Sequence, residues 1–171
     1  MRSGSDAVKR SLFAAGLLAA LPGWAMALEC KQEKAIYSDR DGAYELRFEA
    51  ADPEESASSS YRFSVAVAKT DLKLDGFVMG SEPVDRTNGI LFNNCPDGDT
   101  TGEEIQKCTV WEGVVYSSAG GKIDLLPKTG SPAAPEILLP GFALGLVDST
   151  AWGAGKATVV PWDVFSLKGC Q

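Results

Sequence analysis

Four thiols have the clearest chemistry in this chain: Cys30, Cys95, Cys108 and Cys170. No two of them have the C-x-x-C spacing of zinc sites and redox-active pairs. An even count without metal spacing predicts two disulfides in an exported chain, and four cysteines permit three pairings. The insert Pro96-Asp97-Gly98-Asp99-Thr100-Thr101-Gly102 is rich in turn formers and lets the chain double back, which favours Cys95 with Cys108. Cys30 then falls to Cys170, close to the two ends of the processed chain, and domain termini often meet at the surface.

The same insert is the best metal candidate. Asp97, Asp99, Thr101 and Gly102 fall where a calcium loop alternates its oxygen ligands and places its glycine. The loop's closing position, which needs a bidentate Glu, is Cys108, so a polar turn within a disulfide loop is expected and no metal or other cofactor.

Histidine is absent from all 171 residues. Its absence excludes Ser-His-Asp and Cys-His catalysis, HExxH zinc sites and imidazole pH switches. No GxSxG, SxxK, GxGxxG or P-loop occurs. An enzyme would be left with paired carboxylates. Asp124 and Asp163 are the least ordinary acids because they fall inside strand patterns, where the solvent face is their usual place. Ser56 and Ser58–Ser60 read as a polar loop, not a nucleophile elbow. Trp111, Trp152 and Trp162 suit a carbohydrate or hydrophobic cleft, although core packing is the commoner use of Trp in a small β domain.

The first 27 residues read as an address. Arg2, Lys9 and Arg10 precede an apolar run from Leu12 to Leu21, Pro22-Gly23 breaks it, and Ala25-Met26-Ala27 supplies small residues at a cleavage site before Leu28. The run is short for a bilayer core of ~30 Å. A periplasmic or secreted chain is expected. Cys30 would then stand third in it, away from the position a lipid anchor needs. Residues 28–171 suit a single domain. The formal charge is −7, and removing the leader's three basic and one acidic residues takes it to −9. So acidic a chain is repelled by nucleic acid and has no polybasic membrane patch; a basic protein or another envelope component suits it better.

These residues must be positioned by β structure. Tyr44–Ala50 and Tyr61–Ala68 alternate apolar with polar and predict a hairpin across the polar stretch Asp52–Ser60. Leu72, Leu74 and Phe77-Val78-Met79 suggest short strands around an Asp75-Gly76 turn, and Asn88-Gly89 a turn before Ile90-Leu91-Phe92. Cys108–Tyr116 and Lys122–Leu126 predict a hairpin through Ser117–Gly121. Within Glu136–Ala151, Leu138, Phe142 and Leu146 recur at i, i+4 and i+8, which predicts a short buried helix near Pro140–Ser149. Ala157–Phe165 predicts a last strand, with Pro161 marking an edge or bulge. The expected fold is mostly β: an antiparallel barrel or sandwich, one short helix in its C-terminal third, and two disulfides.

Three functions compete. A non-enzymatic binding module of the cell envelope is the leading expectation. A barrel enclosing an apolar ligand would instead show an enclosed cavity, and a carboxylate-dependent hydrolase two buried acids converging in a cleft.

Overall fold

The computed structural model describes residues 30–52 and 59–171. The expected leader and Ser56 and Ser58 lie outside them. The strands are β1 (Ala35–Asp39), β2 (Tyr44–Ala50), β3 (Ser59–Val67), β4 (Lys73–Ser81), β5 (Arg86–Phe92), β6 (Thr109–Val114), β7 (Tyr116–Ala119), β8 (Lys122–Leu125), β9 (Glu136–Leu138) and β10 (Val164–Cys170). Two helices join them, α1 (Gly102–Cys108) and α2 (Phe142–Val147). All ten strands form one antiparallel sheet, curled into a half-barrel, in the order β6-β5-β4-β3-β2-β1-β10-β9-β7-β8. The expected mostly β, antiparallel fold is therefore the one observed, in its barrel-like form.

Strict alternation sets the register of β2 on β3. Leu46 faces Val65 and Phe48 faces Phe63, all buried, while Arg47 and Arg62 lie on the opposite, convex face. The concave face is filled by side chains. Phe48 touches Tyr37, Tyr61 and Phe63 with ring centroids 5.9, 5.5 and 5.9 Å apart, and Phe142 bridges Tyr44 and Phe165 at 6.2 and 6.1 Å. Such edge and offset contacts add to the burial of large rings.

The seam of the sheet is the β1–β10 ladder, where the strands before residue 115 meet those after it. The Cys30–Cys170 disulfide lies at one end of that ladder, with Ala35 opposite Cys170. Cys95–Cys108 closes the insert ahead of β6. Both bridges follow the expected pairing, and they point to an oxidising, non-cytoplasmic compartment.

Several local expectations are corrected. Asp75-Gly76 is not a turn but the middle of the continuous strand β4; a Cβ on Gly76 would lie 1.9 Å from the Ile90 carbonyl oxygen, so the glycine serves close approach of β5. Asn88-Gly89 likewise lies inside β5, and the chain turns earlier, between Ser81 and Arg86. The run Cys108–Tyr116 starts on the last residue of α1 and then holds β6 and the start of β7, broken at buried Val115, whose N–H bonds to the Thr87 carbonyl; the hairpin is β7–β8 about Gly120-Gly121. Helix α2 covers the predicted site, but Glu136–Leu138 is strand β9. The last strand starts only at Val164 and lies between β1 and β9, so Pro161 marks no sheet edge. Strand β1 and helix α1 were not expected. Helix α1 carries a capping box: the Thr101 hydroxyl accepts from the Glu104 N–H, and the Glu104 carboxylate accepts from the Thr101 N–H.

Candidate functional site

Helix α2 and the segment before β10 build one end of the barrel. Phe142 and Leu146 point inward and are fully buried. Gly145 lets the helix lie against β6, where an added Cβ would sit 2.5 Å from the Val110 carbonyl oxygen. Trp111 of β6 secures the other side. Its indole packs where side chains are missing at Gly89 and Gly113, and its Nε1–H donates to the Pro140 carbonyl at 3.0 Å. The helix thus plugs the lumen.

Asp163 fastens the plug. Its carboxylate accepts from the backbone N–H groups of Gly141 (2.8 Å) and Ala143 (3.1 Å), the free donors at the start of α2. It is a helix cap supplied across the fold, not a residue on the solvent face of a strand. Asp163→Ala leaves those donors without a protein partner. It is expected to lower stability by about 1 kcal/mol and to speed amide hydrogen exchange at Ala143, measured by NMR; unchanged protection there would refute the capping role.

The outward side of this end is apolar. Leu144 is 73% exposed, Val160 55%, Val159 50% and Trp162 43%. The Tyr44 hydroxyl donates to the Val159 carbonyl, and Tyr44 also meets Phe142 of α2, so this loop is held at the same end as the helix. The Trp162 indole donates to Asp41 at 2.8 Å, and the Arg40 guanidinium lies 3.7 Å over its ring. Asp148 caps the far end of α2 and is exposed.

The other predicted candidates are scattered. Trp111 is core and Trp152 is half-buried against it; of the three tryptophans, Trp162 alone is exposed. Asp124 lies on exposed β8, where its carboxylate accepts from the Leu125 N–H. Ser60 donates to the Val78 carbonyl within the sheet. Asp97, Asp99 and Thr101 lie before and at the start of α1. Among the described residues, no group of three or more His, Cys, Asp or Glu side chains converges as metal ligands would.

Sequence reasoning missed Asp39, the single buried carboxylate among the described residues. Its Oδ1 accepts from the Tyr44 N–H, while Oδ2 has no hydrogen-bond partner. Its position before Arg40-Asp41-Gly42 reads as turn chemistry, so only the fold reveals the burial. The buried tyrosines offer no ready base: burial pushes Tyr44 and Tyr61 up to about 12 and raises Tyr37 further. Two of the grooves are open ones, of about 450 Å³ between β7–β8 and Pro132–Pro135, and about 390 Å³ between the Cys95–Cys108 loop and Thr150–Lys156. No helix among the described residues is long and apolar enough to cross a membrane.

The site and fold define a disulfide-tied half-barrel with a plugged, side-chain-filled lumen and an apolar rim. Comparisons with protein-family models, curated proteins and solved structures give no match to this chain.

Proposed function

We propose that the processed chain is exported to the periplasm or the medium and works there as a non-enzymatic binding module, docking a protein with basic groups on the rim around α2. The observation that carries this reading is the contrast between the two sides of α2. The lumen side is packed with Phe142, Leu146, Trp111 and Phe165, which leaves recognition to the outside. The outer side presents Leu144, Val159, Val160 and Trp162 to solvent at one end of the barrel. Charge supports the choice of partner: Asp41 is offset by Arg40, which leaves exposed Asp148 at the end of α2 as the rim's acidic group, in a chain whose formal charge is −7.

A photoreactive residue in place of Leu144 or Val160, in the exported chain in its own cell, tests the reading. One discrete protein adduct is expected from each position and none from Lys73 on the convex face. Asp148→Lys should weaken the adduct about tenfold if one desolvated charge pair of about 1.4 kcal/mol is lost. A cation at a helix C-terminus suits the dipole, so that variant retains its fold. Absence of rim adducts, equal labelling from Lys73, or indifference to Asp148→Lys would each overturn the proposal.

A further inference from the structure

Strand β8 ends the sheet, and all four of its residues are exposed. We infer that this edge is a self-recognition element: two copies of the chain pair antiparallel through Lys122–Leu125, with Ile123 of each on the two-fold axis. This is independent of the rim proposed above.

The hairpin decides which backbone groups are free. Gly120 (φ 58°) and Gly121 (φ 81°) form a two-residue turn with both residues left-handed, which only glycine adopts without strain. Such a turn makes Ala119 and Lys122 the hydrogen-bonded closing pair. The alternation of an antiparallel ladder then directs the N–H and C=O of Ile123, opposite Ser118, away from β7. Leu125, two residues on, is already engaged: its N–H donates to Asp124 Oδ1 at 2.8 Å, and its carbonyl accepts from the Ser117 hydroxyl of β7 at 2.6 Å. By that alternation Ile123 presents an outward donor and acceptor at the sheet edge, on a residue 52% exposed.

Charge selects the occupant. A lone edge lysine guards against pairing, yet here Asp124 lies two residues from Lys122 on the same face. With Ile123 opposite Ile123 of the second copy, the two exchange N–H···O=C bonds. Lys122 of each then stands opposite Asp124 of the other, so the strand is complementary to itself. Sliding by one residue sets Lys122 against Leu125 and Ile123 against Asp124, which loses both charge pairs. So short an edge makes a weak dimer, with a dissociation constant of about 0.1 to 1 mM.

Sedimentation equilibrium of the processed chain from ~10 µM to ~1 mM tests the inference. A monomer–dimer equilibrium is expected. Lys122→Asp alone and Asp124→Lys alone should each weaken it about tenfold or more by setting like charges opposite one another twice. An equimolar mixture of the two variants should dimerise again, since each then meets its complement. Both sites are exposed, and circular dichroism checks that the variants stay folded. In an Ile123→Cys variant, oxidation should yield a covalent dimer, because hydrogen-bonded partners lie ~5.5 Å apart at Cα. A wild-type chain that stays monomeric to ~1 mM overturns the inference. So does dimerisation that the single charge reversals leave intact, or that the mixture fails to restore.

Discussion

Removing the Cys30–Cys170 bridge as Cys30→Ser with Cys170→Ser is expected to cost about 5 kcal/mol and to lower the melting temperature by roughly 15 °C. The bridge spans 140 residues, so its loss returns the most freedom to the unfolded chain. Its Cα separation of 5.8 Å lies in the ordinary bridging range. The folded state depends on it too. The strands before and after residue 115 share a single ladder, β1 with β10, and the bridge holds its end. Removing Cys95–Cys108 as a pair of serines should cost about 3 kcal/mol, because its loop spans only 13 residues, and should loosen α1 and its flanks. Scanning calorimetry of both variants, with non-reducing peptide mapping to show that the remaining bridge is closed, decides the matter. Equal melting shifts for the two would refute the ranking.

Legibility followed how local each signal was. Alternation in Tyr44–Ala50 and Tyr61–Ala68 announces β2 and β3 because one face of each packs on the core and the other meets water. The cysteine pairing was readable because a turn-rich insert admits one short closure and leaves one long one. Strand β4 was obscured because Asp-Gly is read as a turn when its reason is the approach of Ile90, a residue remote in sequence. Strand β1 has five residues and ends in a buried Asp39, so its pattern is too short and too polar to stand out. Helix α1 is announced by the capping-box spacing of Thr101 and Glu104, a signal that competes with the likeness of Asp97–Gly102 to the opening of a calcium loop.

The candidate site was less legible, since its parts come from four stretches of chain. Helix α2 was predicted from Phe142 and Leu146, the residues that face the lumen, but the exposed Leu144 lies off that stripe. Val159 and Val160 read as strand because they are β-branched, yet they form the rim loop held by Tyr44. Asp163 looked like one more polar residue in an alternating run. Its role depends on the N-terminus of α2, more than twenty residues away in sequence. Tertiary partners decide each case, and none is encoded in the neighbouring residues.

Trp111→Ala is expected to cost about 4 kcal/mol, within the usual range for deleting a large buried ring. The indole is 4% exposed, fills the space above Gly89 and Gly113, and ties β6 to the Pro140 carbonyl. Its neighbours can close over the void only partly: α2 already lies against β6, and the lumen beneath it is stacked with Tyr44, Phe142 and Phe165. A dry apolar cavity should remain, and such a cavity binds small aromatics. Indole then becomes a specific probe, because it restores both the ring and the N–H that Pro140 accepts. Urea melts with and without indole provide the measurement. The variant should unfold at a lower midpoint and regain part of the loss as indole is raised, while the parent, with its lumen full, should not respond. Trp111→Phe should fall between them, keeping most of the packing but losing the hydrogen bond, at about 1 to 2 kcal/mol. A parent stabilised by indole to the same extent as the variant would mean that the lumen already has room for a ligand, and would turn the functional reading from the rim toward the interior. A variant as stable as the parent would mean that Trp111 does not hold the plug.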